Sequence, residues 1–144
     1  VCSKDNIPGT KWFNGTAKDT FTTGDGAYAG KMNTLLQVAL QGADAVGNFA
    51  AKACLDYSVT EGGVLYGDWY LPSKWELNEI YKVRSTINSV AATNGGAVIH
   101  AGFLYWSSTE SDAGKAWLQN LSTTGTQGFD SKSYILEIRA VRSF

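Results

Sequence analysis

The stretch DWYLPSKWELNEIYK, residues 68–82, constrains the fold more than any other part of the chain. Pro72 ends an extended segment, because its ring holds φ and disfavours helix in the residue before it. Ser73 is a strong N-cap, and Glu76 three residues later completes a capping box. Leu77, Ile80, Tyr81, Arg84 and Ile87 then recur on one helical face, which predicts a helix over 74–90. A strand must therefore hand over directly to an amphipathic helix near the middle of the chain.

On either side of this junction the hydrophobic period changes. Residues 33–57 read as helical, in two pieces interrupted around Gly42 and Gly47. Asn33 is the expected cap. The expected inward stripe is Leu36, Ala39, Leu40, Ala43, Ala50, Ala53, Cys54 and Tyr57. Residues 1–30 carry turn signals (P-G, N-G, D-G), with Trp12 and Phe13 as anchors, and 58–66 reads as a loop. ATNGGA, residues 92–97, is a turn. Beyond it, FLYWSS, KAWLQNL and SYILEIRAVRSF read as strands. In the last, Tyr134, Leu136, Ile138, Ala140 and Arg142 share one face, and Ile135, Glu137, Arg139, Val141 and Ser143 the other. The 144 residues make one domain, with two helices packed on a mostly antiparallel sheet, an α+β fold.

The bulk numbers exclude several classes of function. A net charge of −1 offers no global basic field for nucleic acid. No apolar run is long enough to insert into a membrane, and no signal peptide is visible. The chain opens at VCSKDN without Met, which implies residues upstream. Charged residues are 17% of the chain, so the surface is built from Ser, Thr, Asn and Gly, as in many secreted proteins. That extracellular look favours a disulfide between Cys2 and Cys54 over two buried thiols. With a single His and no CxxC, a zinc set is out of reach.

Catalytic patterns are weak. Ser107 and Ser108 sit in YWSSTE without a nucleophile elbow, and His100 is the only possible base. Glu76, Glu79, Glu110 and Asp112 are the carboxylates from which an acid–base pair for glycoside cleavage would be drawn. The capping box already explains Glu76. TGDGAY and TESDAG are oxygen-rich but lack an EF-hand pattern, so neither a metal nor a cofactor is expected. YWSSTE therefore reads as a structural corner. One ring of the Tyr105–Trp106 pair points inward, and Ser107, Ser108 and Thr109 bond local backbone. Arg139 and Arg142 point to opposite faces, so at least one is buried and paired with a carboxylate, Glu76 or Glu110 being the natural partners.

Charge is polarised along the chain. Residues 56–80 hold Asp56, Glu61, Asp68, Glu76 and Glu79 against Lys74 alone. From 115 onward Lys115, Lys132, Arg139 and Arg142 face Asp130 and Glu137. Lys74, Lys82, Arg84, Lys115 and Lys132 are the candidate contacts for an anionic partner.

NTLLQVALQG, AAKACLDY, GDWYLPSKWELNEIY, YWSSTE, AWLQNLSTTG and IRAVRSF follow one another in that order. This succession, from Trp12 to Phe144, resembles the bacterial domain family named for the C-terminal domain of the Legionella collagen-like adhesin. The resemblance implies a C-type-lectin-like, formylglycine-generating-enzyme-like fold on a secreted or surface bacterial protein. It implies a non-enzymatic adhesin that binds sulfated glycosaminoglycans for host-cell attachment and biofilm. It further implies a homotrimer capping a collagen-like stalk, whose three chains share one axis. The first Gly-rich strand of such domains and any stalk are absent from this sequence. The family motif carries over no ligand residues, and Cys2 and Cys54 do not match the copper site of formylglycine-generating enzymes. A structural trimerisation cap without a ligand, or a carbohydrate-active enzyme, are the rival expectations.

Overall fold

In the computed structural model, which describes residues 1–42 and 47–143, the chain folds as expected into an α+β arrangement. Ala43 of the predicted stripe and the terminal Phe144 lie outside the described residues. Seven strands are present among the described residues: β1 (Ile7–Thr10), β2 (Val59–Glu61), β3 (Val64–Tyr66), β4 (Leu104–Asp112), β5 (Lys115–Asn120), β6 (Gln127–Ser131) and β7 (Leu136–Ile138). Five of them form a sheet in the order β1-β7-β4-β5-β6. Every pairing in it is antiparallel except β4 with β7.

The helices are α1 (Ala29–Gln41), α2 (Ala50–Asp56), α3 (Lys74–Lys82) and α4 (Arg84–Thr93). Both helical regions are thus split. The single helix expected over 74–90 breaks at Val83, whose φ of −107° and ψ of 14° leave the helical basin, and it resumes through Thr93. The loop expected at 58–66 is a hairpin, β2 against β3. Gly62 and Gly63 both have positive φ, the requirement of a two-residue turn whose twist matches its strands.

The sheet carries a core on each face. Ile7, Trp12, Ala50, Cys54, Trp69, Leu71, Trp106 and Ile138 pack on one side, where α2 supplies small residues that let its backbone approach. Tyr70, Leu77, Ile80, Ile99, Tyr105 and Leu121 pack on the other, under α3. The expectation that only one ring of the Tyr105–Trp106 pair faces inward is corrected. Both are fully buried, one in each core, because β4 is central and covered on both faces.

Helix α1 inverts the sequence pattern. Its buried residues are Gly30, Asn33, Thr34, Gln37 and Gln41, while Met32, Leu35 and Leu40 are exposed. Asn33 lies inside the helix rather than capping it, and its amide donates to Gly24 O and Ser108 Oγ. Gln37 donates to Ser108 O at 2.6 Å, and Thr34 Oγ1 accepts from Leu71 N at 3.0 Å. Hydrogen bonds with Ser108 of buried β4, with Gly24 and with Leu71 therefore hold α1 in place of the expected apolar stripe.

The expected disulfide is absent: both thiols are free. Cys54 sits in the α2 core, and Cys2 pairs by a β-bridge with Val141 and accepts a bond from Arg139 Nε at 3.3 Å. No helix among the described residues is long and apolar enough to cross a membrane.

Candidate functional site

The junction at Pro72–Ser73 is built as the sequence predicts. Ser73 Oγ accepts from Glu76 N, and Glu76 Oε2 accepts from Ser73 N at 2.8 Å. The same carboxylate also accepts from Tyr28 N, Gly30 N and Tyr70 OH, at 3.0–3.1 Å. Glu76 thus caps α3 and the start of α1 together, placing a negative charge where both helix dipoles favour it. Burial and this carboxylate push the Tyr70 phenol well above the usual tyrosine range.

Capping fixes where α3 begins, and so fixes Lys74 over the outer strands. On β5, Lys115, Trp117 and Gln119 share the face toward α3; on β6 their partners are Ser131, Phe129 and Gln127. Gln127 donates to Lys74 O at 2.9 Å, and Gln119 donates to Asn78 Oδ1 at 2.9 Å, tying α3 to this face. Outward of that seam, Trp117 and Phe129 meet edge to face, with ring centroids 5.3 Å apart. Lys74 Nζ lies 4.3 Å from the Trp117 centroid, and Lys115 Nζ lies 5.4 Å from that of Phe129. Phe129 is 49% exposed, and Trp117 is half-buried. The result is an aromatic shelf with an ammonium at each end.

Asp25 tempers its charge. Asp25 Oδ2 is 3.1 Å from Lys74 Nζ, and its Oδ1 accepts from Trp75 N. Lys115 has no acid within 4.0 Å among the described residues.

Of the five expected glycan contacts, the fold brings together two, Lys74 and Lys115. Lys82 is exposed but belongs to Glu79, at 2.6 Å, and Arg84 stacks on Tyr81 and donates to Tyr81 O. Lys132 is corrected outright. It is 1% exposed, and its ammonium donates to Glu110, to Lys18 O and to Ala113 O. A side chain consumed in that way cannot meet a ligand. Trp117, Phe129 and Asp25 were missed. The alternation Lys115–Ala116–Trp117 puts Lys and Trp on one strand face, a signal that was present; β6, in a Gly-rich polar stretch, gave none.

The two terminal arginines also depart from expectation. Arg139 is fully buried, but its guanidinium donates to Asn6 Oδ1, Ala97 O, Lys4 O and Cys2 Sγ rather than to Glu76 or Glu110. Arg142 pairs with Asp68 at 2.6 Å. Glu110 belongs to Lys132 and to Thr20, whose N–H and hydroxyl it accepts.

YWSSTE is structural in a longer-range way than expected. Trp12 Nε1 donates to Ser107 O, Ser107 Oγ donates to Trp117 O, and Thr109 Oγ1 donates to Gly24 O and accepts from Lys74 N. Its buried hydroxyls link distant segments and help set Lys74 beside Trp117. Ser107 and Ser108 are sealed from solvent, and His100 bonds through its backbone to Tyr105 OH, away from both. No group of three His, Cys, Asp or Glu among the described residues is arranged to hold a metal.

No family model matches the chain, and no curated protein matches it in sequence.

Proposed function

We propose that this chain is a non-enzymatic adhesin domain that binds sulfated glycosaminoglycans on the shelf formed by Lys74, Trp117, Phe129 and Lys115. The observation that supports it is the pair of ammonium groups flanking two edge-packed, solvent-reaching rings. Rings of this kind pack against the C–H face of a sugar, and each ammonium meets a sulfate or carboxylate oxygen. In this reading the protein acts in attachment and biofilm, outside the cell or on its surface, and its fold is lectin-like. The domain sits as a homotrimer on a collagen-like stalk. Three copies of a weak shelf then bind a polyanion with avidity that can exceed a single site by ~10²–10⁴. Titrating a defined heparin oligosaccharide into the protein while following the Trp117 indole N–H resonance tests it. The Trp117 signal should shift and saturate. Shifts confined to other residues would remove the shelf from the reading.

A second reading, a trimerisation cap without a ligand, has its own support. Met32, Leu35, Leu36, Ala39 and Leu40 recur on α1 at the spacing of a helix–helix seam, and Met32, Leu35, Ala39 and Leu40 are exposed. Analytical ultracentrifugation of the Leu35→Lys variant separates the two. The cap reading requires the assembly to fall apart and heparin binding to be absent from the intact wild type.

A further inference from the structure

Away from the shelf, a groove of about 720 Å³ opens between the β2–β3 hairpin and α4. None of the four shelf residues lines it. Its walls are apolar: Val59, Tyr66, Trp69, Val83, Ile87 and Val90. Val83 and Val90 are both more than half exposed, so the groove keeps apolar surface in water. The volume falls in the range of ~300–1,000 Å³ that small-molecule sites occupy.

One end of this groove is polar and positive. Near Gly96, beyond the last turn of α4, Lys4 and Arg139 line it with one acid, Glu61, whereas Arg142, also in the lining, is paired with Asp68. Glu61 stands 3.8 Å from Lys4, and both side chains are well exposed. Arg139 is the unusual member. Its charge is fully buried, all four of its described bonds go to neutral acceptors, and no carboxylate lies within 4.0 Å of it among the described residues. A buried cation without a counter-ion is costly, and an anion brought close to it in a low-dielectric groove relieves that cost. Cys2, beside Arg139, does not supply the anion, since burial raises its thiol above the ordinary range despite the guanidinium.

We propose that the groove binds an amphiphilic carboxylate, a single acyl chain with an anionic head. The chain lies along Val83, Ile87 and Val90 against Trp69 and Tyr66, and the head faces the end lined by Lys4 and Arg139. Apolar walls alone would accept any hydrocarbon. The net positive end selects the charge of the head.

Isothermal titration of dodecanoate, dodecanol and dodecyltrimethylammonium into the whole chain tests the proposal. Saturable binding is expected for dodecanoate. An advantage of at least about tenfold over dodecanol, and little or no binding of the cation, is expected from the charge at that end. Two surface variants locate the site without disturbing the core. Val90→Arg should abolish dodecanoate binding by filling the groove. Lys4→Glu should weaken dodecanoate about fivefold or more, while leaving dodecanol unchanged. Circular dichroism confirms that each is folded. Absence of dodecanoate binding to the folded wild type, equal binding of dodecanol, or undiminished binding by Val90→Arg would each overturn the proposal.

Discussion

Lys132 and Glu110 form an ion pair in which both side chains are almost completely withdrawn from water. The ammonium also lies 4.5 Å from the Trp12 ring centroid, and the carboxylate accepts from Thr20 N. The pair fastens the segment after β6 to the end of β4 and to the long loop before α1. Burying two charges is offset only when every remaining donor and acceptor is satisfied, as here. Glu110→Ala or Lys132→Ala should each destabilise the protein by about 3–5 kcal/mol, because one charge is left buried alone. Glu110→Leu with Lys132→Met should recover much of that loss. Urea denaturation of the two singles and the double measures it, and a double variant no better than the singles would contradict the pairing.

Gly30 allows α1 to meet the capping box. A Cβ at this position would stand 2.4 Å from Glu76 Oε2 and 2.6 Å from Leu71 O and Ser73 N. Two of those three neighbours are backbone and cannot swing away. Gly30→Ala should therefore cost about 1–3 kcal/mol by overpacking, against the small gain that alanine brings to an ordinary helix. A thermal midpoint equal to wild type would show that α1 approaches less closely.

The thiols give a chemical check. Without reductant, the denatured chain should take up iodoacetamide at both Cys2 and Cys54. In the native state Cys54 should resist labelling, since burial drives its thiol far above the usual range. A mass two protons lower than the reduced chain, with no label incorporated, would demonstrate a bridge.

Alkaline pH should unfold the protein in a defined window. Burial pushes the Tyr105 phenol up to about 12, against an ordinary value near 10. Below pH ~10 both states keep the proton and this contribution is intact. Above it the unfolded chain ionises first, so stability falls from about pH 10 through about 12. Tyr70, raised by burial and Glu76, acts in the same direction. Tyr105→Phe should flatten the fall in urea midpoint across that window; an unchanged slope would assign it elsewhere.

The legible part of this molecule was local. Ser73 and Glu76 announce α3 because capping needs only four consecutive residues, and the strands at 104–120 announce themselves by alternation. What stayed hidden depends on partners far along the chain. Asn33, Thr34 and Gln37 look like a solvent face, yet they are buried because Ser108 and Leu71 supply their hydrogen bonds. Lys132 looks like surface charge until the fold places Glu110 beside it. The hairpin at 59–66 was obscured by strands of three residues each, too short for a period to show. The shelf was half legible: Lys115 and Trp117 by alternation, Lys74 by its basic charge beside the capping box, Phe129 not at all.

Heparin-column retention across a salt gradient, comparing wild type with Lys74→Ala, Lys115→Ala, Trp117→Ala, Lys82→Ala and Asp25→Asn, tests the central claim most directly. Binding on the shelf predicts earlier elution for the first three, no change for Lys82→Ala, and later elution for Asp25→Asn, which releases Lys74 from its acid. Wild-type flow-through at low salt, or elution that shifts with Lys82 and not with Lys74, Lys115 or Trp117, would contradict it.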